Sequence, residues 1–323
     1  MAPRAPLPLP AHLADRPFTR VDLTTAGWSI ERARRGDLVR VVHGVHRSWE
    51  AETGDWADLG FPVDPVPWPP VDAAAVVRRA RGVLSHQSAA LVHGLVVPAW
   101  VRPDGRLHLS RPHDRGLSGL PRVQTHARSV PPVDVTSIHG IPCTSLERTW
   151  VDLASLMPRG PVDPLVIAGD ALVNHPWAGE GQARGAARTT VVSLRAALER
   201  AGRFKGVRAA RLALDLVRVG ADSPPETELR LALLAAGLPE PELQARIDPA
   251  DPWAPAVDLA YRPWRLSLQY DGAHHRTREQ QGRDARRDGL VQDAGWRSLR
   301  LTAEDRHDGF RRAVEWVRRH GSP

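Results

Sequence analysis

Apolar and polar residues alternate along Val257-Asp258-Leu259-Ala260-Tyr261 and again along Leu266-Ser267-Leu268-Gln269-Tyr270-Asp271. A period of two predicts strands. The intervening Arg262-Pro263-Trp264-Arg265 has the form of a tight turn with Pro263 at its first central position. With Pro263 and Trp264 as the central pair, Tyr261 faces Leu266, Leu259 faces Leu268 and Asp258 faces Gln269. That register buries Leu259, Tyr261, Leu266 and Leu268 on one face and puts Asp258, Gln269 and Asp271 on the other. A slip of one residue would pair Asp258 with Leu268 and mix the faces. The polar face is either the solvated side of an ordinary hairpin or a functional surface, and these residues alone leave both readings open.

Helical periodicity and its punctuation organise the flanks. Asp222-Ser223-Pro224-Pro225 breaks the chain, with Ser223 as an N-cap and Pro224 as the first helical residue. Glu226, Leu229, Leu233 and Leu234 follow on a helix that ends at Gly237. After the hairpin, Thr277-Arg278-Glu279-Gln280 has the form of a capping box, and its helix carries Arg278, Arg283, Arg286 and Arg287 as far as Ala294. Trp296 to Leu301 alternates as a strand. Thr302-Ala303-Glu304-Asp305 caps a last helix with Phe310, Ala313, Val314 and Val317 on one face.

Nearer the N-terminus, Thr19 is the expected cap of a short helix ending at Gly27, and Ser29 the cap of a second, Ile30 to Arg35, ended by Gly36. Leu38 to His46 is a β-type run with Gly44 as its turn. Helix, turn, helix and basic wing is the order of a winged helix-turn-helix, and Arg32, Arg34, Arg35 and Arg40 are its candidate DNA contacts. A helical hairpin with a basic surface is the plainer alternative. Phe61 to Val71 holds five prolines and reads as a linker. Beyond it, Asp72 to Arg81 is helical, Ser85 caps a helix through Leu91, Leu107–Ser110 and Val123–His126 are strands, and Thr144 to Ala154 is a capped amphipathic helix. His86, His108 and His126 fall on unrelated elements and read as structural or surface residues. Trp177 to Thr190 reads as a loop, and Val191 to Val219 as helix broken near Gly202 and Gly206.

These segments define an α/β (α+β) chain in four parts: residues 1–50, a DNA-binding unit; 51–71, a linker; 72–221, an α/β and helical region; and 222–323. The single cysteine, Cys143, excludes an intrachain disulfide and argues against a cysteine zinc site. No apolar leader or membrane-length run is present, so a cytoplasmic chain without a membrane partner is expected. Net charge is +7, and Lys205 is the only lysine, so 43 of the 44 basic residues are arginine. Arginine suits phosphate and base contacts, although a GC-rich coding sequence produces the same bias. Residues 222–273 are acidic and 274–323 basic, as a metal pocket beside a phosphate-binding surface would be.

On Glu226, Asp258, the Leu268–Gly272 strand end, the following histidines and Arg283-Asp284-Ala285-Arg286-Arg287-Asp288, the last hundred residues resemble the endonuclease-like domain related to the very-short-patch-repair (Vsr) endonuclease, of the PD-(D/E)XK superfamily. Phe18-Thr19-Arg20, Arg34 to Arg40, Ser85 to Ala90 and Thr144 to Ala154 resemble the AbiEi-type antitoxin architecture, a winged helix-turn-helix followed by an α/β region. The first resemblance implies a mixed sheet flanked by helices and a Mg²⁺-dependent (or Mn²⁺-dependent) attack of water on DNA. It implies Asp258 as the main metal ligand, Glu226 as a ligand or water-orienting base, Gln269 where relatives carry Glu, Asp271 where many carry Lys, and the Tyr270 carbonyl as a further metal contact. His275 or His274 becomes a candidate acid/base, and His274, Arg276, Arg283, Arg286 and Arg287 candidate DNA contacts. A DNA endonuclease is therefore expected. The alternative, prompted by Gln269, is a non-catalytic DNA-binding regulator of antitoxin type, with a toxin or other protein partner.

Overall fold

In the computed structural model the described residues are 9–10, 13, 18–29, 38–42, 45–48, 73–95, 106–112, 119–120, 123–138, 140–176, 183–251, 253–271 and 278–321. The chain is a mixed α/β protein with two compact units. Residues 1–160 and 193–210 form one, and 161–192 and 211–323 the other, so the second takes in residues well before position 222.

The first unit opens with β1 (Phe18–Thr19), α1 (Arg20–Thr25), β2 (Leu38–Val42) and β3 (Val45–Ser48), which form a small sheet of order β1-β3-β2. Thr19 lies in β1, and the helix begins after it. The expected helix Ile30–Arg35, with Arg32, Arg34 and Arg35, lies outside the described residues. Arg40 sits on β2, at a shift in the β2–β3 register.

There follow α2 (Ala73–Ala80), β4 (Val83–Leu84), α3 (His86–Val92), β5 (Leu107–Arg111), β6 (Val123–Ala127), β7 (Val135–Ile138), β8 (Ile141–Thr144) and α4 (Leu146–Leu153). Their strands make a five-stranded sheet of order β6-β5-β4-β8-β7. Val76, Val77, Ala89, Leu84, Leu107, Leu109 and Cys143 form its core. The capped helix expected over Thr144 to Ala154 is α4, and its cap is Ser145, whose side chain accepts from the Arg148 N–H.

The second unit contains α5 (Asp163–Val173), while α6 (Val191–Ala201) and α7 (Val207–Leu216) run through the positions where the chain passes between units. Then come α8 (Pro224–Ala235), β9 (Glu242–Arg246), β10 (Ala256–Tyr261), β11 (Leu266–Tyr270), α9 (Arg278–Asp293), β12 (Arg297–Leu301), α10 (Ala303–His307) and α11 (Arg311–His320). The sheet order is β12-β11-β10-β9, antiparallel from β9 to β11 and parallel between β11 and β12.

The hairpin register matches the parity argument: Leu259 pairs Leu268 and Tyr261 pairs Leu266. The Arg265 N–H closes the turn onto the Arg262 carbonyl at 3.1 Å. Leu259, Tyr261, Leu266 and Leu268 pack with Leu229 and Leu233 of α8 and with Phe310, Ala313 and Val317. The expected single last helix is two. Phe310 takes a left-handed conformation (φ +59°) that no continuous helix allows, and α11 restarts behind it. The break lets Phe310 reach the core, where it is almost fully buried.

α5 belongs to this unit through one buried carboxylate. Asp170 accepts from the Arg218 N–H (2.7 Å), the Thr227 hydroxyl (2.9 Å) and the Arg230 guanidinium (2.9 Å). Asp170 and Arg230 are both buried, and their mutual attraction and the surrounding hydrogen bonds offset part of the desolvation cost, although the Arg230 Nε is left without a partner among the described residues.

Candidate functional site

Glu226 stands in the first turn of α8. Ser223 and Glu226 are three residues apart, so the carboxylate folds back onto the helix start. Its Oε1 accepts from the Ser223 hydroxyl at 2.7 Å and its Oε2 from the Asp222 N–H at 2.9 Å. Only 6% of the residue is exposed. Burial first, and then the Asp258 charge, push its carboxyl up to about 7.

Asp258 occupies β10 where the alternation of faces breaks. Leu259 and Tyr261 join the α8 side of the sheet, whereas Val257 packs with Ala245, Ala260, Val291 and Trp296. Gln244, the residue that faces Asp258 across the β9–β10 register, has φ +48°. Asp258 comes close enough to the start of α8 for its charge to act on Glu226. Its Oδ2 accepts the Tyr270 N–H at 2.9 Å, closing the hairpin where the Leu259–Leu268 pairing stops. Burial raises the Asp258 carboxyl, and the Tyr270 N–H and the Arg287 and Arg300 charges only partly oppose it. Asp222 adds a third negative charge beside both acids.

Glu226 and Asp258, 32 residues apart in the chain, are thus electrostatic neighbours, and among the described residues neither makes an ion pair. Gln269 follows on β11. Its Nε2 is buried and has no hydrogen-bond partner among the described residues. Asp271 lies just past the strand, where its N–H bonds the Leu301 carbonyl and its Oδ2 accepts from Arg300 at 3.4 Å. Arg300 also pairs with Asp288.

Arg287 donates to the Ala256 carbonyl, so part of its donor capacity is already used within the fold. Arg286 is exposed on α9. His274, His275, Arg276 and the side chains of Arg283 and Arg40 lie outside the described residues. Among the described residues no group of three or more His, Cys, Asp and Glu side chains forms a metal cage.

Sequence reasoning missed four participants. Arg300 lies on the strand parallel to β11 and is brought to Asp258 only by the crossover through α9. Asp222, Gln244 and Arg184 form the rest of the surround. The Arg184 guanidinium forks onto Asp222 (2.7 and 2.8 Å) and reaches the Gln244 Oε1 (2.9 Å), while Gln244 Nε2 faces Glu226 Oε2 at 3.4 Å. The Ser223-x-x-Glu226 spacing was the one local signal that Glu226 is held in place.

In the first unit, the three histidines that are scattered in sequence converge. His86 stacks on His126 with ring centroids 3.5 Å apart, and His108 Nδ1 meets His126 Nε2 at 2.9 Å. Ser85 does not cap α3 with its side chain; its hydroxyl meets His86 Nδ1 at 2.8 Å and accepts from Ser110. Burial holds the His86 imidazole well below its usual pKa, and neighbouring charge adds to the effect.

No family model, curated protein or solved structure matches the chain. No helix among the described residues is long and apolar enough to cross a membrane.

Proposed function

We propose that the second unit is the core of a Vsr-like PD-(D/E)XK endonuclease that hydrolyses DNA phosphodiester bonds with Mg²⁺ or Mn²⁺, joined to a DNA-binding N-terminal part of winged helix-turn-helix form and an AbiEi-like α/β region. The observation that carries the reading is the Glu226–Asp258 pair. Two neighbouring carboxylates with raised pKa values and no ion-pair partner among the described residues are costly to keep in a fold, and groups perturbed in this way concentrate at functional sites. Further support comes from the order helix, three antiparallel strands, helix, parallel strand, with Asp258 and Gln269 on the central strands.

The donors suit a hard divalent cation. Mg²⁺ takes oxygen ligands, uses few protein carboxylates and keeps several waters, so an acid pair without a larger cage is compatible with it. Asp258 and Glu226 would hold the ion, with the Gln269 amide oxygen and the Tyr270 carbonyl as neutral donors. When bound, the ion would supply Lewis-acid stabilisation of the phosphate and a water nucleophile. Glu226, with its carboxyl near 7, would hold or release a proton at neutral pH. Arg287 and Arg300 would oppose the phosphate charge. The test is cleavage of supercoiled plasmid by the full chain with Mg²⁺ or Mn²⁺. Asp258→Ala is expected to abolish nicking, and equal cleavage by both proteins would remove the assignment.

A second reading has its own observation. Both Glu226 oxygens already accept hydrogen bonds at the helix start, and Gln269 brings no charge. A non-catalytic, antitoxin-like DNA-binding regulator would use this acid only as a cap. It predicts salt-sensitive binding to DNA that is lost on deleting residues 1–50 and kept in Asp258→Ala.

A further inference from the structure

Arg184 belongs to a segment whose composition marks only a loop, 42 positions before Glu226. Its guanidinium nevertheless makes four hydrogen bonds: two to the Asp222 carboxylate, one to the Gln244 amide oxygen and one to the His175 carbonyl at 2.8 Å. The Asn174 amide braces the same Asp222 Oδ1 at 2.8 Å. Asn174 Oδ1 in turn accepts the Gly220 N–H at 3.1 Å. At Gly220 (φ +119°) a Cβ would meet the Cβ of Leu243 at 2.7 Å, so the chain passes against β9 where a side chain would not fit.

The chemistry of these partners gives Arg184 a direction of action. A guanidinium only donates and an ionised carboxylate only accepts. Arg184 therefore turns the Gln244 oxygen toward itself, leaving the Gln244 NH₂ facing Glu226. The same fork holds the Asp222 side chain, and the Asp222 N–H is the other donor to Glu226 Oε2. Gln244 has a left-handed backbone that costs a non-glycine residue energy and persists only when its surroundings hold it. Both groups that orient Glu226 Oε2 are thus held by one arginine, whose own hydrogen bonds go to His175, Asp222 and Gln244 and whose charge also acts on Glu226.

We propose that Arg184 is a positioning residue for the acid pair, acting through Gln244 and Asp222, so that the functional unit begins in the 161–192 segment rather than at residue 222. This rests on the nuclease reading of Glu226 and Asp258. Two effects of removing Arg184 oppose each other for a cation. The site becomes more negative, which favours metal binding, but the Glu226 carboxylate loses its orientation. A positioning role therefore separates turnover from metal affinity. Residues that orient ligands in this way are typically worth about 10- to 100-fold.

The experiment is metal-dependent plasmid cleavage by the full chain, comparing wild type with Arg184→Gln, Arg184→Lys, Gln244→Ala and the double variant Arg184→Gln/Gln244→Ala, with thermal melting to establish that each is folded. We expect Arg184→Gln and Gln244→Ala each to lower kcat by roughly tenfold or more. Mn²⁺ affinity, read by calorimetric titration in the absence of DNA, should not weaken, the double variant should be no worse than either single, and lysine, which cannot form the fork, should not restore turnover. Wild-type turnover in Arg184→Gln, or strictly multiplicative losses in the double variant, would overturn the proposal. Full restoration by lysine would overturn it in favour of a charge effect. A wild-type chain that cuts nothing with either metal overturns the nuclease reading itself, and this inference with it.

Discussion

The two units bury charge in opposite ways. In the first, Arg148, Asp134 and Asp152 are almost completely buried, and each has an opposite charge beside it: Arg148 lies 3.0 Å from Asp152 and 3.4 Å from Asp134, Arg200 forks onto Asp134, and Arg128 reaches Asp152 at 3.3 Å, on the same Asp152 oxygen that Arg148 uses. In the second, Glu226 and Asp258 face each other with like charge. A compensated buried network holds elements together; an uncompensated pair costs stability and is kept where chemistry uses it. Asp170–Arg230 in the second unit behaves like the first unit's network, so the contrast belongs to the site rather than to the unit as a whole.

The largest effect that would break this comparison is on activity. Asp258→Ala should lower metal-dependent plasmid nicking by roughly 10²-fold or more, the scale on which groups that stabilise developing charge act. An unchanged rate would make the acid pair a structural oddity.

Next in size is Arg148→Met. It leaves two buried carboxylates short of a partner and should cost about 3–5 kcal/mol in chemical denaturation followed by far-UV circular dichroism. A loss below about 1 kcal/mol would mean that Arg128 and Arg200 carry the compensation alone.

Glu226→Gln should do the reverse at alkaline pH. The folded-state carboxyl, raised to about 7 from the ordinary 4.5, keeps its proton longer than the unfolded chain does. Folding therefore loses stability as pH rises from about 4.5 through 7. Removing the charge should gain about 1–3 kcal/mol at pH 8 in metal-free buffer, and little at pH 4, where both forms are neutral.

The smallest effect sharpens the contrast from the first unit. His86 is held below its usual pKa, so its contribution is complete above about pH 6.5 and is lost as pH falls below it. His86→Asn, which keeps a residue tolerant of the left-handed backbone at φ +54°, should flatten the acid side of the stability–pH profile by about 1 kcal/mol, measured by thermal unfolding between pH 5 and 8. The two units should thus respond to pH with opposite sign.

Much of the local structure was legible. The turn at Arg262–Arg265 and the Leu259–Leu268 register follow from parity, because a half-buried strand tolerates only one of its two faces inside. The start of α8 at Ser223-Pro224 and its end before Gly237 follow from caps. The strand Arg297–Leu301 and the break between α6 and α7 were equally readable. Phe310 was placed on the correct buried face but in an unbroken helix, because its packing overrides helical propensity.

Asp258 and Glu226 could be named as candidates from their residue types and places in the pattern, since a strand with one polar face and an acid in a helix's first turn are local features. Their mutual effect was not local. The raised carboxyls come from burial first, with the Asp258 charge adding at Glu226 and the Asp222 charge at both, and all of this depends on α8 packing against the β9–β10 pair. The histidine group and Arg184 show the same limit. His86, His108 and His126 meet because α3 starts directly after β4, and β4, β5 and β6 are neighbours in one sheet; Arg184 reaches Asp222 and Gln244 only once the 161–192 segment joins the second unit. By itself the sequence determined the elements, their caps and the hairpin register, because those depend on side chains within a few residues. Tertiary structure alone decided which charges are buried and which are answered, because desolvation and Coulomb interactions act between groups that only the folded chain brings together.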